Sequence, residues 1–361
     1  MLYDGEVYNI IYDKIKRKRF FYTIFMILLN MNFLKLITLT LLTTFTLQAT
    51  EPKAPIPPVP YDFLKKQEVK KFVNMMVKKH HFKRAYMNEV LSNAMLDKET
   101  LDRYTGKYKV GSTNGSWERY KDHVLDPTTL QLAKEFKQNY YKTLKRAEDE
   151  YNIDMDYIVG FMGVESKYGT HTGDFRVLDS LATLGFHKNR MHKWFKAELK
   201  NLFLLMREEN RDIYTQYGSF AGAMGAVQQM PSIQRRFGVD YNGDGIKDPW
   251  DLKDSIGIIA KFMHKKGWVK GAVVAVPTNF SGTRFKKVKA SHKKQYSVSY
   301  LKKKGIKPLE YFGESKAYLL KNRNVDHDDI WMGGRNFRVL TKYNNSTSYG
   351  MAIHIIAQSV K

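Results

Sequence analysis

The sequence predicts a mainly helical α+β fold that contains one small β region near the C-terminus. Three observations support this prediction. Apolar residues recur at intervals of three and four through residues 61–104 and 117–267, which is the spacing of amphipathic helices. Residues 271–340 change to alternating and β-branched runs with Gly and Asn turns between them, a pattern typical of strands. A last helical pattern begins near Tyr349 and closes the chain.

The composition is that of a folded and strongly basic protein. Hydrophobic residues make up 43% of the 361, and 60 Lys and Arg against 36 Asp and Glu give a net charge of +24. This charge suits nucleic acid, an anionic membrane surface or a polyanionic cell-envelope substrate, or it reflects a lysine-rich proteome. No nucleic-acid-binding motif accompanies it, so we expect no nucleic-acid partner. The chain has no cysteine, which excludes disulfides, thiolate zinc sites, cysteine nucleophiles and a lipid-modified N-terminal cysteine.

The N-terminus contains an export signal. An apolar run at residues 36–47 ends near the small residue Ala49. This pattern predicts a secretory signal peptide over residues 1–49, cleaved after Ala49, with the true start of translation at Met31. The residues before Met31 are then an over-extended start.

The alternative for this region is a membrane anchor over residues 20–47 behind the basic cluster 14–19. Lys35 interrupts that span, so the sequence favours the cleaved signal. Both readings export the rest of the chain. The cleaved signal places it in the periplasm without a stable membrane anchor.

The sequence divides into a linker and four folded segments. Residues 50–60 contain five of the ten prolines and read as a polyproline-like linker. The predicted segments are an N-terminal helical unit (61–116), a helical core (117–270), a small β domain (271–340) and a C-terminal segment (341–361) that returns to the core. Within the β domain, strands are expected at Val273–Val276, Tyr296–Tyr300 and Phe337–Leu340.

One predicted helix carries a carboxylate on its apolar face. Asp154 and Asp156 are natural N-cap residues, and Gly169 provides a stop. The stripe at i, i+3, i+4 and i+7 consists of Ile158, Phe161, Met162 and Glu165. Poor solvation should raise the pKa of Glu165, which a general acid near neutrality needs. The alternative is a glutamate that reaches the rim or pairs with a lysine.

Residues 240–251 have the spacing of an EF-hand-type calcium loop, with oxygen side chains at positions 1, 3 and 5, Gly at 6 and a carboxylate at 12. The predicted ligands are Asp240, Asn242, Asp244, the backbone carbonyl of Ile246 and Asp251. Position 12 usually holds a longer glutamate. The calcium ion would be structural, and no catalytic cofactor is expected. The alternative is a metal-free Asp/Asn/Gly turn.

Two further segments suit a carbohydrate groove. Residues 218–232 combine closely spaced small residues with the amide pair Gln228-Gln229, and amides suit sugar hydroxyls or N-acetyl groups; the alternative is a tight helix–helix turn. Residues 342–349 place two tyrosines around hydrogen-bonding residues. The alternative there is an N-cap with buried tyrosines.

Together these segments resemble the lytic murein transglycosylase B family of cell-envelope enzymes. The resemblance covers most of residues 70–360. The motifs that carry it are, in order, Phe72-Val73-Asn74, Trp117–Tyr120, Ile158–Glu165, Val177–Leu184, Gly218–Gly225, Trp268–Gly271 and Tyr343-Asn344. It implies a lysozyme-like helical fold with a β insertion, and cleavage of the glycan between N-acetylmuramic acid and N-acetylglucosamine that leaves a 1,6-anhydro end.

By position, the resemblance implies that Glu165 is the catalytic acid. The glycan-contacting residues that it implies are Tyr120, Arg190, Ser219, Gln228, Tyr343, Asn344 and Tyr349. The chain departs from the family at Met191, where a second arginine is common, and at residues 226–229, where the family is richer in glycine and aromatic residues.

The expected partners are peptidoglycan glycan strands, with other cell-wall enzymes as further candidates, and the chain is expected to be monomeric. One alternative function is a lysozyme-type muramidase, which normally needs a second carboxylate. The nearest candidates, Asp174 and Asp179, read as a loop residue and a structural aspartate. Another alternative is a non-catalytic peptidoglycan-binding scaffold protein.

Overall fold

The computed structural model describes residues 57–105 and 112–361, which form a mainly helical α+β fold as predicted. The predicted signal peptide over residues 1–49, with its proposed start at Met31, lies outside the described residues, as does most of the linker at 50–60. Across the described ranges, no helix combines the length and the apolar character that crossing a membrane requires.

The described part of the chain contains 14 α-helices. They are α1 (Gln67–His80), α2 (Arg84–Ser92), α3 (Lys98–Tyr104), α4 (Ser116–Val124), α5 (Pro127–Asn139), α6 (Tyr141–Tyr151), α7 (Met155–Ser166), α8 (Val177–Phe186), α9 (His192–Glu208), α10 (Pro231–Phe237), α11 (Leu252–Lys265), α12 (Val298–Lys303), α13 (Arg335–Tyr343) and α14 (Thr347–Ser359). Side-chain caps start several of them. Before α5, for example, Asp126 accepts a hydrogen bond from the backbone N–H of Thr129 at 2.8 Å.

Eight short strands form three antiparallel sheets. They are β1 (Val59–Pro60), β2 (Met95–Leu96), β3 (Phe175–Arg176), β4 (Tyr217–Gly218), β5 (Ala275–Pro277), β6 (Ser291–Ser297), β7 (Lys316–Arg323) and β8 (Asp328–Gly333). β1 pairs with β2 and β3 with β4, while the other four form one sheet in the order β5-β8-β7-β6. The β7–β8 register runs from Tyr318 opposite Gly333 to Arg323 opposite Asp328.

The predicted strands of the β region are only partly correct. The strand expected at Phe337–Leu340 is wrong, because these residues lie within α13. Phe337 and Leu340 are both fully buried, and their spacing of three places them on one helical face. The strand expected at Tyr296–Tyr300 ends at Ser297, whose hydroxyl accepts a hydrogen bond from the backbone of Tyr300 and starts α12.

The helices pack around two hydrophobic clusters. The first surrounds α7 and includes α11, α13 and α14. The second joins α1 and α2, from the predicted N-terminal unit, to α8 and α9. At Gly160 of α7 an added Cβ would lie 2.6 Å from the backbone oxygen of Ile353, so only glycine allows α14 to approach this closely. Because the two helices approach closely at this point, the start of α14 lies next to the end of α7.

The ends of α7 differ from the prediction. Asp154 is the N-cap residue but makes no capping hydrogen bond, because it accepts one from the Trp268 indole at 2.7 Å. Asp156 lies inside the first turn and pairs with Lys137 at 2.6 Å. The helix ends at Ser166 rather than at Gly169, because the residues from 167 to 169 all have positive φ. Glu165 therefore lies in the last turn.

Candidate active site

Glu165 is held by a tyrosine hydroxyl from α14. The Tyr349 hydroxyl donates a hydrogen bond to Oε1 of Glu165. Ser346 caps α14 by accepting a hydrogen bond from the backbone of Tyr349 at 3.3 Å, which fixes that tyrosine in the first turn. The Tyr349 ring stacks on Tyr343, with centroids 6.5 Å apart and an interplanar angle of 7°.

The carboxyl group of Glu165 is poorly solvated. Burial raises its pKa to about 8, although the hydrogen bond from Tyr349 acts in the opposite direction by stabilising the carboxylate. In the described part of the chain no lysine or arginine forms an ion pair with it, which removes the lysine-pairing alternative. Near neutral pH the carboxyl group is therefore mostly protonated.

Three tyrosines surround this carboxyl group. Burial raises the pKa of Tyr120 to about 12, and the charge of Glu165 adds to the rise. Burial and the charge of Glu165 also raise the pKa values of Tyr343 and Tyr349 well above the usual range. All three hydroxyl groups therefore stay protonated and can donate hydrogen bonds at physiological pH.

One side of the site is joined to the segment that precedes α10. The Tyr343 hydroxyl donates a hydrogen bond to the carbonyl of Val227, and its ring packs edge-on against Phe262 with centroids 4.8 Å apart. The hydroxyl of Ser166, next to Glu165, donates to the carbonyl of Ala226 at 2.6 Å. These bonds join Ala226 to the end of α7 and Val227 to the end of α13.

The small-residue segment at 218–232 is a bridged loop rather than a turn between two helices. Gly218 pairs with Met224, and Met224 pairs with Gln229. An added Cβ at Gly225 would lie 2.1 Å from the carbonyl of Pro249, and its φ of 72° also requires glycine. The small residues therefore serve close backbone packing.

Two predicted glycan contacts lie in this loop. The Ser219 hydroxyl accepts a hydrogen bond from the backbone of Ala223 at 3.1 Å. Gln228 is half-buried with a φ of 48°, and its Nε2 donates to the carbonyls of Thr172 at 2.8 Å and Gly225 at 2.9 Å. The amide nitrogen of Gln228 is thus engaged within the fold.

Two other predicted contacts are exposed. Arg190 is exposed in the turn between α8 and α9, where its positive charge acts on Tyr104. Asn344 is exposed directly after α13, and its carbonyl accepts a hydrogen bond from Ser346 at 2.8 Å. Within the described ranges neither side chain contacts Glu165, so the structure brings Glu165 together only with the three tyrosines.

The two candidate second carboxylates do not join Glu165. Asp179 is buried and receives bonds at 2.7 Å from Arg176 and from the backbone of Met95, so it is structural, as expected. Asp174 is exposed in the loop before β3. Of the carboxylates in the described part of the chain, none hydrogen-bonds to or lies against Glu165 in the way a nucleophile pair requires.

Gln229 is a site residue that the sequence did not single out. Its side chain is 2% exposed, and neither amide atom has a hydrogen-bond partner within the described structure. The amide lies near the Tyr343 hydroxyl, where it acts to lower the pKa of that group. The amide pair Gln228-Gln229 was the available signal, but only the fold shows that the two side chains have different surroundings.

A separate cavity of about 380 Å³ lies at the other end of α7. Its lining includes Tyr157 and His354, whose hydroxyl and Nδ1 atoms are 2.7 Å apart. Burial lowers the pKa of His354 to about 4, so the ring stays neutral at physiological pH. Ten residues of helix, about 15 Å, separate the start of α7 from Glu165. The two sites are therefore distinct.

The predicted calcium loop is organised by hydrogen bonds to Asp240. Its carboxylate accepts from the backbone N–H groups of Gly243 at 2.6 Å, Asp244 at 3.2 Å and Gly245 at 2.7 Å. These bonds lower the pKa of Asp240 and keep it ionised. The donor set of carboxylate, amide and carbonyl oxygens fits calcium chemically.

The far end of the loop has a structural role. Asp251 caps α11 by accepting hydrogen bonds from the backbone of Lys253 at 2.8 Å and Asp254 at 2.9 Å. Across the described ranges, no three acidic or histidine side chains converge on one point. Asp254, which the sequence analysis missed, is fully buried and accepts from the backbone of Tyr241 at 2.6 Å and Asp248 at 2.8 Å. It joins both ends of the loop to α11.

The helical core, with a poorly solvated carboxyl group of raised pKa among three tyrosines, defines a glycan-cleaving enzyme of lysozyme-like fold. Residues 64–358 match the family model described as the transglycosylase SLT domain. The chain belongs to this family, and the predicted family resemblance is confirmed.

Known relatives cover most of the chain. The membrane-bound lytic murein transglycosylase B of Escherichia coli (strain K12) is 36% identical over 306 residues, which are 83% of this chain and 84% of that protein. The Escherichia coli lytic transglycosylase Slt35 in complex with bulgecin A is 36% identical with a TM-score of 0.78, covering 84% of this chain and 95% of that one. The same enzyme in complex with calcium has a TM-score of 0.77 over the same shares, with 36% identity.

Proposed function

We propose that Glu165 is the single acid and base with which this chain cleaves the glycan strands of peptidoglycan and leaves 1,6-anhydro ends. The observation that carries the proposal is the raised pKa of a carboxyl group beside which the described part of the chain places no second carboxylate. The chain is a lytic murein transglycosylase by family, a lyase rather than a hydrolase. Such a reaction needs one group that first donates a proton and then accepts one.

The reaction proceeds in two proton transfers. Protonated Glu165 gives its proton to the glycosidic oxygen, and the bond from that oxygen to C1 of the muramoyl sugar breaks. The muramoyl N-acetyl group stabilises the cation that forms at C1. The carboxylate of Glu165 then takes the proton of the C6 hydroxyl while O6 bonds to C1. Glu165 ends protonated, as it began, and no water is consumed.

Tyr349 supports the carboxylate stage of this cycle. Its hydroxyl donates to Oε1, so it stabilises the negative charge that Glu165 carries between the two transfers. The pKa of Tyr349 is raised well above its usual range, so it does not lose its own proton to Glu165. We assign two roles to Tyr349. It positions the carboxyl group of Glu165, and it lowers the free energy of the Glu165 carboxylate.

The glycan groove is proposed to run over the surfaces flanking Glu165. Tyr120 and Tyr343 form its floor beside the acid, and Gln228 and Ser219 border it on the bridged loop. Exposed Arg190 and Asn344 lie free to contact more distant sugars. Alanine at Gln228 should weaken binding of a chitooligosaccharide more than it lowers the melting temperature. A loss of stability with unchanged binding would assign Gln228 to loop structure alone.

Digestion of sacculi in ¹⁸O-labelled water tests the reaction. Mass spectrometry should find anhydromuramoyl products without ¹⁸O, because C1 is captured by O6. Reducing ends that carry ¹⁸O would show a muramidase. Binding without cleavage would show a scaffold protein built on this fold.

A structural calcium ion is also proposed for residues 240–251. The calcium complex of the Escherichia coli relative supports it, as does the ionised carboxylate of Asp240. The ion would be held by Asp240, Asn242, Asp244, the carbonyl of Ile246 and Asp251. Because Asp251 caps α11, bound calcium would fix the angle between that helix and the loop. It supplies no acid or base to the reaction.

The proposed location is the periplasm. The predicted signal peptide supports this placement, and the Escherichia coli relative is by its name membrane-bound. We propose a monomer that acts on peptidoglycan strands without a stable membrane anchor.

A further inference from the structure

One segment of the β domain is densely positive. Residues 279–309 contain ten Lys and Arg residues and no Asp or Glu. A stretch of this kind creates a strong local field that attracts anions.

The fold exposes these charges and brings two of the lysines to a pair of stacked tyrosine rings. The nine lysines of residues 286–307, called the lysine surface below, are all exposed. The rings of Tyr296 and Tyr300 stack at 5.8 Å, with Lys294 lying 5.0 Å from the first ring. Lys304 lies 5.7 Å from the ring of Tyr300. The Tyr296 hydroxyl also donates to the carbonyl of Lys289 at 2.8 Å.

In the described structure these lysines have no acidic partners. Within the described ranges, none of the nine forms an ion pair, whereas the neighbouring Arg284 reaches Asp328 at 3.3 Å. Like charges held close together repel, so leaving them unpaired costs stability unless an anion neutralises them. The surface is therefore open to an external anionic partner.

The lysine surface adjoins the segment between Tyr343 and Tyr349. His292, at the start of β6, contacts Thr347 through Nδ1 at 2.9 Å and Asn345 through Nε2 at 3.0 Å. Asn345 lies in the short loop after α13, and Thr347 is the first residue of α14. Both lie in the sequence between Tyr343 and Tyr349, two of the tyrosines around Glu165. Lysines 293 and 294 follow His292 directly. A polymer bound in the glycan cleft would therefore pass close to the lysine surface.

Protection of a sheet edge explains only part of this surface. β6 is an edge strand, and lysines on edges prevent pairing with other chains. That role accounts for Lys293 and Lys294. It does not account for the lysines of α12 or of residues 286–289, which lie outside the strand.

We propose that the lysine surface binds the carboxylates of the peptide stems on the same glycan strand that occupies the Glu165 cleft. The inference rests on the proposed function, since it takes peptidoglycan as the substrate. Stem carboxylates recur along the polymer, so many weak ammonium–carboxylate contacts add up. Exposed pairs contribute about 0.2–1 kcal/mol each and weaken with salt. The surface thus favours peptide-bearing murein over bare glycan.

The test is binding of a charge-reversed variant to intact sacculi. Lys293, Lys294, Lys303 and Lys304 are each changed to Glu in a Glu165→Gln background, so that the sacculi are not digested. Co-sedimentation should show at least an about fourfold weaker apparent Kd at low salt, from four exposed pairs at the low end of their range. The difference in apparent Kd between the variant and its Glu165→Gln parent should become smaller as the salt concentration is raised.

The matched control carries the same charge change on α1. Lys70, Lys71, Lys78 and Lys79, all exposed, are changed to Glu in the same background. Far-ultraviolet circular dichroism checks that both variants are folded. An equal loss of binding in the control would overturn the proposal, because net charge alone would explain it. No loss in the first variant would also overturn it.

Chemical blocking identifies the anion. Sacculi whose carboxyl groups are amidated with methylamine should bind the β-domain variant at least as well as the parent. If the parent still binds amidated sacculi more tightly than the variant does, the lysine surface does not bind the stem carboxylates. Binding of the parent to phosphatidylglycerol vesicles but not to sacculi would also contradict the proposal. Failure of the proposed function is recognised separately, because it appears as absent cleavage of sacculi by the chain with Glu165 intact.

Discussion

The carboxyl groups of Glu165 and Asp240 have opposite surroundings within one fold. Glu165 accepts one hydrogen bond from a tyrosine hydroxyl among packed aromatic rings, and burial raises its pKa to about 8. Asp240 lies in a surface loop and accepts backbone hydrogen bonds from Gly243, Asp244 and Gly245, which lower its pKa. The first group can exchange a proton near neutrality, and the second is a fixed anion.

The number of hydrogen-bond donors around each carboxyl group determines whether it stays ionised or can carry a proton near neutral pH. Three backbone N–H groups hold Asp240 ionised, which suits a cation and prevents acid catalysis. Within the described structure Glu165 has a single donor and little solvent, so its neutral form persists near neutral pH, as the proposed role of general acid requires. Changes that remove or add donors should therefore change proton chemistry at one site and cation binding at the other.

The largest expected effect is that of Glu165→Gln. The amide keeps the shape of the side chain but cannot transfer a proton, so release of soluble muropeptides should fall by about 10²–10⁴ or more. Binding to sacculi should be retained. Glu135→Gln, an exposed change on α5, is the control and should leave the rate unchanged. Substantial activity of the Glu165 variant would refute its role.

Tyr349→Phe should have the next largest effect. It removes the hydroxyl that stabilises the carboxylate, so the pKa of Glu165 should rise further and the rate should fall by about tenfold or more, the value of a hydrogen bond to a charged group. The pH–rate profile measures both. Tyr343→Phe removes a hydroxyl that bonds to Val227 instead and should not move the profile. Identical shifts in both variants would contradict this assignment.

The pH dependence of stability should also distinguish the sites. The pKa of Glu165 is raised in the folded state from its ordinary value of 4.5. The stability gained from its protonated form is complete below that value and is lost as pH rises through about 8. Relative to Glu165→Gln, wild-type stability should fall over this interval by up to about 1.4 kcal/mol per pH unit in urea denaturation. Parallel curves for the two proteins would exclude the shift.

Calcium should produce a smaller effect, confined to the second site. A ligand that binds only the native state stabilises it by about 2.7 kcal/mol at a hundred times its dissociation constant. Chelation should lower the melting temperature, and Asp240→Ala should abolish the difference between calcium and chelator. Asp149→Ala, an exposed change on α6, should preserve it. Identical melting curves for metal-stripped wild-type protein would reduce the loop to a turn.

Periodicity predicted the helices better than the strands. The stripe that contains Ile158, Phe161 and Met162 is fully buried, as a spacing of 3.6 residues requires. The hairpin of β7 and β8 was not predicted, because long-range pairing rather than local pattern stabilises it. The run Phe337–Leu340 was misassigned, since four residues cannot distinguish a buried strand from a buried helix.

At the candidate site, the sequence indicated Glu165 as a poorly solvated carboxyl group but did not indicate its contacts. The burial of Glu165 follows from its place on an apolar helical face. The bond from Tyr349 depends on how α14 crosses α7 at Gly160, which no local pattern records. Likewise, only the folded loop shows that Asp251 caps a helix and that Asp254 holds both loop ends.

The most direct test of the account is the pKa of Glu165 itself. Carbon-13 NMR of protein labelled at glutamate carboxyl groups follows each resonance with pH, and the Glu165→Gln variant identifies the one that is missing. The structure predicts that this resonance titrates near pH 8. Titration near its ordinary value of 4.5 would show a solvated carboxylate and would contradict the assignment of Glu165 as a general acid.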